Sequence, residues 1–96
     1  TINGLNAMPS SFKLGEPYPN PFNPITNISY DLPYESEIEL MIYDIQGRLV
    51  ETLVSGNVKA GENKIIWDAN LMSSGVYFVK LNTEFGIMTK KIILMK

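Results

Sequence analysis

The sequence predicts an all-β fold, an immunoglobulin-like antiparallel sandwich of about seven strands. Three observations lead to this prediction. Short segments rich in β-branched and aromatic residues alternate apolar with polar side chains, which is the period of a strand with one buried face. Turn-forming residues separate these segments at the roughly 8–12-residue spacing of sandwich domains. No window of the sequence sustains the period of a helix.

The N-terminal part of the chain differs from the rest. Residues 1–13 are polar and weakly patterned, so we expect a linker or a loosely attached N-terminal segment there. Residues 14–96 are expected to form the folded domain, with a short first strand near residues 12–15. A chain of 96 residues suffices for one domain with a real core and is too short for two.

The segment 18–24, Tyr-Pro-Asn-Pro-Phe-Asn-Pro, is the feature around which we expect the chain to be arranged. Each of its prolines, Pro19, Pro21 and Pro24, fixes its own φ, lacks an N–H and holds the preceding residue in an extended conformation. The segment therefore predicts a stiff loop that crosses the end of a sheet. Phe22 is its apolar anchor, and the side chains of Asn20 and Asn23 are suited to bond backbone groups. The sequence leaves two roles open for this loop: a connector between strands, or an element that a partner recognises.

Two strands joined by a hairpin are predicted after a strand at residues 27–32. Residues 37–44 alternate, but Met41 and Tyr43 make the second face apolar toward the end of this strand, so we expect something to cover it. Residues 44–48 form the hairpin loop, in which Gly47 suits a positive φ, and the return strand follows. A longer connection is expected at residues 55–63 because of its glycines and asparagines.

The C-terminal third predicts three further strands, at residues 63–68, 76–83 and 87–96. Trp67 shares a face with Ile65 and is expected to pack in the core. In the last strand the lysines Lys90 and Lys91 flank an apolar run. If this strand is a sheet edge, a partner strand can pair with its free backbone groups. The lysines have a second interpretation, because lysines on an ordinary edge strand prevent unwanted pairing.

Composition excludes several classes of function. The chain has no Cys and no His, which removes disulfides, thiol nucleophiles, imidazole bases and the usual zinc ligands. Its net charge of −2 gives no indication of nucleic-acid binding. No apolar run approaches the roughly 20 residues of a membrane-spanning helix, so no membrane span is expected. No cofactor is expected either.

The sequence predicts no catalytic site. Its lysines have no flanking signature that would activate a serine. The carboxylates Glu37, Glu39 and Asp31 are better explained as a solvated strand face than as an acid–base pair.

Calcium is the one ion for which the sequence offers ligands, and the signal is weak. Asp44, Asp68 and Asn70 carry hard oxygen atoms, but their spacing is not that of an EF-hand. Asp44 also has a competing role, because it is placed to cap the hairpin turn and to pair with Arg48 across it.

Five segments together resemble one known family, the type A C-terminal sorting domain of the type IX secretion system; the immunoglobulin-like domain of flagellar hook-capping proteins is similar. The segments, in chain order, are residues 18–30, 42–50, 60–68, 74–81 and 89–96. The resemblance covers about residues 14–96, nearly all of the chain.

The resemblance implies a sorting signal rather than an enzyme. Such a domain follows an N-terminal cargo, reaches the periplasm, engages an outer-membrane translocon and is removed by a sortase-like peptidase or used for surface attachment. The protein would then be secreted or held at the cell surface, and the cut would fall within residues 1–13. We expect the folded sandwich itself to be the signal, read through a surface formed by the proline loop, the Asp44–Arg48 hairpin and the last strand. The residues that we expect to take part in recognition are Pro19, Asn20, Pro21, Asn23, Pro24, Asp44, Gly47, Arg48, Gly75, Tyr77, Lys90 and Lys91.

An alternative is a non-catalytic accessory sandwich, a carbohydrate-binding or spacer module of a secreted enzyme. Tyr34 and Tyr43 are the aromatic side chains that would stack on a sugar if they were exposed.

Overall fold

The structure is a computed structural model that describes residues 12–96. Residues 1–11, which make up most of the expected linker, lie outside the described part. The described residues form seven strands and no helix, which confirms the all-β prediction. The strands are β1 (Lys13–Leu14), β2 (Ile25–Leu32), β3 (Ser36–Asp44), β4 (Leu49–Val58), β5 (Gly61–Asp68), β6 (Gly75–Thr83) and β7 (Gly86–Leu94).

The strands form two antiparallel sheets, as predicted. One sheet has three strands in the order β1-β2-β5, and the other has four in the order β4-β3-β6-β7. Alternate side chains of both sheets point between them, because successive residues of a strand face opposite sides. The core is built from these inward residues, and its largest fully buried member is Trp67. The predicted core position of Trp67 is therefore confirmed.

The predicted long connection at residues 55–63 is wrong. β4 continues to Val58 and β5 begins at Gly61, so only two residues link them. The beginning of β3 supplies the backbone partners for this extension, with Ile38 opposite Gly56. Gly56 has a φ of +127°, a conformation that glycine adopts without the steric cost of a side chain. The ladder of backbone hydrogen bonds between β3 and β4 therefore continues through a residue type that usually favours a turn.

The strand registers place the important loops at one end of the sandwich. β2 begins where β5 ends, with Ile25 opposite Asp68. β6 begins where β7 ends, with Gly75 opposite Leu94, and β3 ends beside the start of β6. We call this the proline-loop end, because residues 18–24 lie there. The opposite end, which we call the entry end, holds Phe12 and the turns β2–β3 and β6–β7.

Three aromatic rings meet at the entry end. The Phe12 and Phe85 rings stack with centroids 6.2 Å apart, and the Tyr34 ring lies 6.0 Å from that of Phe85. Phe85 belongs to the tight β6–β7 turn, and Tyr34 to the β2–β3 turn. The chain therefore enters the domain at a fixed position, far from the proline loop.

Candidate functional site

The proline loop continues the four-stranded sheet beyond β7. The Phe22 N–H donates to the Ile93 carbonyl and the Phe22 carbonyl accepts from the Met95 N–H, each at 2.9 Å. This is the pattern of a parallel bridge, which sets Phe22 beside Leu94. The peptide bonds before Pro19, Pro21 and Pro24 are cis. The loop thus covers the end of β7, which is an edge strand of its sheet.

The side chain of Asn20 acts as a further rung of this ladder. Its Nδ2 donates to the Lys91 carbonyl and its Oδ1 accepts from the Ile93 N–H, both at 3.0 Å. A carboxamide presents the same donor and acceptor as a peptide group, so it can replace one at a sheet edge. Asn23 makes no side-chain hydrogen bond among residues 12–96, so only one of the two asparagines is used in this way.

Phe22 fixes the loop to the core. Its side chain is 2% exposed and its ring centroid lies 5.7 Å from that of Trp67. Trp67 in turn packs edge-on against Tyr77 at 5.6 Å. These contacts tie the proline loop, β5 and β6 together directly beneath the proline-loop end.

Hydrogen bonds to the start of β2 hold the rest of the loop. The buried Thr26 hydroxyl donates to the Pro19 carbonyl at 2.8 Å. The backbones of Tyr18 and Asn27 exchange hydrogen bonds of 3.0 and 2.9 Å. Thr26 was not among the predicted site residues, because a threonine in an alternating strand gives no signal that its hydroxyl reaches a loop seven residues away.

The loop between β5 and β6 packs beside the proline loop. The Ala69 N–H donates to the Pro24 carbonyl at 2.9 Å. The Tyr77 hydroxyl donates to the Ser73 carbonyl at 2.7 Å, and Lys96 Nζ donates to the Asn70 carbonyl at 2.6 Å. Tyr77 is only 7% exposed, so its side chain shapes this loop and presents almost no surface of its own.

The Asp44–Arg48 turn lies at the same end of the four-stranded sheet. Asp44 Oδ1 accepts from the N–H groups of Gln46 and Arg48, each at 2.9 Å, and Arg48 Nε donates to Asp44 Oδ2 at 3.0 Å. Gly47 has a φ of +81°, as the sequence predicted for this loop. The backbone N–H of Arg48 is the largest cause that holds the pKa of Asp44 below its ordinary value.

The Arg48 side chain is held in place yet open to solvent. It is 73% exposed, whereas that of its partner Asp44 is 21% exposed. Only Nε is engaged by the carboxylate, so the terminal N–H groups of the guanidinium keep their hydrogen-bonding capacity for a partner. Strands β6 and β7 separate this turn from the proline loop, a distance of about 15 Å at the usual strand spacing.

The remaining predicted residues divide between this end and the β7 edge. Gly75 begins β6 at the proline-loop end. The Lys91 carbonyl meets Asn20, while its side chain is exposed. Lys90 Nζ pairs with Glu16 at 2.6 Å, a partner that the sequence did not indicate. The structure therefore brings all of the predicted residues except the side chains of Lys90 and Lys91 to one end.

The candidate calcium ligands do not converge. Asp44 ends β3 in one sheet and Asp68 ends β5 in the other. Asp68 Oδ1 accepts from the Asn70 N–H at 2.9 Å, which closes a local turn. Within residues 12–96 there is no group of three His, Cys, Asp or Glu side chains that would hold a metal ion.

The same residues contain no helix long and apolar enough to cross a membrane.

Comparison with known proteins assigns the chain to a family. None of the curated proteins matches the sequence. The family described as "Secretion system C-terminal sorting domain" matches residues 16–95. This match spans the proline loop, the Asp44–Arg48 turn and all strands from β2 to β7. The chain therefore belongs to the secretion system C-terminal sorting domain family.

Proposed function

We propose that the folded domain is recognised by the outer-membrane translocon through its proline-loop end. The family gives the general function: the domain is a C-terminal sorting signal of the type IX secretion system, acting with that machinery on an N-terminal cargo. A protein with this signal is secreted or displayed at the cell surface. The family consists of sorting signals and not of enzymes.

One observation carries the proposal. The five motif segments are spread over nearly the whole domain, yet each reaches the proline-loop end. The first segment forms the loop itself, the second forms the Asp44–Arg48 turn, and the third ends at Trp67 and Asp68. The fourth begins there at Gly75, and the last pairs with Phe22. Folding is required to bring these segments together, so the signal would be read as a surface and not as a linear peptide.

The residues at this end have two kinds of role in the proposal. Arg48, Asn23 and the exposed prolines Pro19 and Pro21 are available to touch a partner. Pro24, Gly75 and Tyr77 instead fix the loops, since the Pro24 carbonyl and the Tyr77 hydroxyl are engaged within the domain. Asp44 and Gly47 hold Arg48 in its position.

The position of the linker fits the order of events that we propose. The protein crosses the periplasm, engages the translocon at the proline-loop end, and is then cut by a sortase-like peptidase within residues 1–13. The folded domain would comprise residues 14–96. The chain enters through β1 at the entry end, so a partner bound at the proline-loop end leaves the linker accessible to a peptidase.

Arg48→Ala in the full-length protein tests the recognition surface. We expect export to fall at least about tenfold, the loss typical of a hot-spot contact, with an unchanged circular dichroism spectrum, since an exposed ion pair adds little stability. Lys64→Ala removes an exposed cation of β5, away from this end, and should be exported normally. Normal export of the Arg48 variant would refute the proposed surface.

The mass of the mature secreted protein tests the processing step. Loss of the region after about residue 13 is the expected result. A mature protein that retains the whole domain would contradict removal by a peptidase and would favour the accessory-module alternative.

A further inference from the structure

The outer face of the four-stranded sheet carries an apolar patch. Cross-strand partners place Tyr43 beside both Leu49 and Phe78, and Val76 beside Ile93. We call these five residues the outer patch. Their neighbours along each strand, such as Ile42, Val79 and Ile92, are fully buried in the core, so the five side chains point away from it.

An apolar outer face is unusual for such a sheet. Antiparallel sheets that pack on one face normally present polar side chains on the other. Residues 12–96 form two layers only, so no third layer covers the patch within the described part. The Lys80 Nζ lies 5.4 Å from the centre of the Tyr43 ring and provides partial cover, whereas Leu49 stays 54% exposed. The sequence predicted that something covers this end of β3. Within residues 12–96 the Lys80 side chain lies over Tyr43, and the Tyr43 hydroxyl contacts the sulfur of Met41, which is buried.

We propose that the outer patch is a docking surface for a component of the export machinery, and that it takes an apolar segment flanked by acidic side chains. This inference rests on the proposed function. The patch adjoins the proposed recognition surface, because Tyr43 precedes Asp44 and the Ile93 backbone bonds to Asn20. A partner that binds at the proline-loop end would therefore meet the patch as well.

The charges around the patch select the chemistry of the partner. Lys91 lies directly opposite Phe78 and Lys80 lies opposite Met41 and Thr89, on the same face. Neither lysine forms an ion pair within residues 12–96. The carboxylate of Asp44 is nearby, but its oxygens are occupied by the turn. Glu39 shares this face but lies toward the entry end, opposite Asn82. Two lysines without an ion-pair partner beside an apolar surface favour a partner with acidic side chains around an apolar contact.

The same features disfavour two other occupants. A second copy docked face to face about a two-fold axis through the centre of the patch would bring four lysines together at one interface. The area that five partly exposed side chains can bury is also much smaller than the roughly 800 Å² that each partner of a stable dimer buries. The described chain enters at the entry end, so a cargo joined to it there would have to reach back by about 25 Å, the length of an eight-residue strand.

Site-specific photo-crosslinking in exporting cells identifies the occupant. A photoreactive amino acid replaces Phe78 in the full-length protein. Asn82 is the matched control position, since it lies on the same strand and face but toward the entry end. We expect an adduct with a component of the secretion machinery from position 78 and not from position 82. An adduct with the cargo domain or with a second copy, equal adducts from both positions, or no adduct would overturn the proposal.

Two substitutions test whether the contact matters. Phe78→Thr keeps a strand-forming residue but removes the ring, and Lys91→Glu reverses the charge beside it. We expect each to lower export at least about tenfold, the loss of a central contact. Ile87→Thr removes an exposed apolar side chain of the same face toward the entry end and should be exported normally. If Phe78→Thr fails to fold, Lys91→Glu alone decides.

The outcomes separate this inference from the proposed function. Deletion of the whole domain abolishes export if the domain is the sorting signal. When deletion abolishes export but Phe78→Thr and Lys91→Glu proteins are exported normally, only the docking surface is wrong. When deletion leaves export unchanged, the proposed function itself fails.

Discussion

Replacing Asn20 by alanine tests whether a side-chain amide holds the proline loop on the sheet. The wild-type amide donates to the Lys91 carbonyl and accepts from the Ile93 N–H. An intramolecular hydrogen bond contributes a net 0.5–1.5 kcal/mol. Two bonds at an exposed edge therefore predict a loss of about 1–2 kcal/mol in the free energy of unfolding. For a domain of this size that corresponds to a fall in Tm of roughly 5–15 °C.

The control lies in the same loop. Asn23 is also followed by a proline and is also exposed, but its side chain makes no hydrogen bond within the described residues. Asn23→Ala should change the free energy of unfolding by less than about 0.5 kcal/mol, as expected for a surface residue without such a role. Asn20→Asp should be at least as harmful as Asn20→Ala, because a carboxylate cannot donate to the Lys91 carbonyl and sets oxygen against oxygen.

Two measurements follow the effect. Thermal unfolding by circular dichroism gives Tm, and amide hydrogen exchange follows the N–H groups of Phe22 and Met95, which join the loop to β7. We expect both amides to exchange about tenfold faster in Asn20→Ala, because the loop opens locally. Equal Tm values for the Asn20 and Asn23 variants, with unchanged exchange at Met95, would refute the role assigned to the amide.

Two further predictions concern the turn and the anchor. The pKa of Asp44 is lowered in the folded state, so its contribution to stability is present above the ordinary carboxylate pKa and is lost as the pH falls through the folded value. Urea titrations from neutral pH to about pH 3 give the free energies of unfolding of wild type and Asp44→Asn. We expect the difference between the two free energies to shrink as the pH falls; a constant difference would contradict this. Phe22→Ala should cost about 3–5 kcal/mol and shift the fluorescence of Trp67 to the red. The exposed Tyr18→Ala is its control, and equal losses would show that Phe22 is no anchor.

The strands could be predicted because alternation records burial directly. Ile38 and Leu40 alternate with the charged Glu37 and Glu39 at the start of β3, and both are buried. The hairpin at Gly47 was predictable for a similar reason, since few residues accept a φ of +81°. Both features depend on residues that are close in sequence, so a single sequence is enough to reveal them.

The extension of β4 could not be predicted because its cause is distant in sequence. Ser55, Gly56 and Asn57 favour a turn by local preference, but β3 offers them a continuous row of backbone partners. The free energy of completing this ladder outweighs the local preference, as tertiary context commonly does in sheets.

The candidate site shows the same division between local and distant causes. The five motif segments predicted a recognition surface made of the proline loop, the Asp44–Arg48 turn and the last strand, but not the contacts that bring these parts to one end. The partner of Asn20 lies 71 residues away, and no local pattern specifies such a contact. The outer patch was partly visible, since Met41 and Tyr43 broke the alternation of β3, but the contributions of Val76 and Ile93 depend on the register of β6 with β7.

The position of the proline loop restricts how a partner strand can reach β7. In an antiparallel strand the N–H and carbonyl of alternate residues point to the same side. On β7 the outward groups include those of Ile93 and the Lys91 carbonyl, which are already bonded to the loop. Strand addition can therefore use only the part of the edge before Lys91, or it must displace the loop. The two routes give opposite results for Asn20→Ala: a loosened loop would strengthen binding by displacement, whereas it would weaken binding to a surface that includes the loop. Our proposal requires the second result.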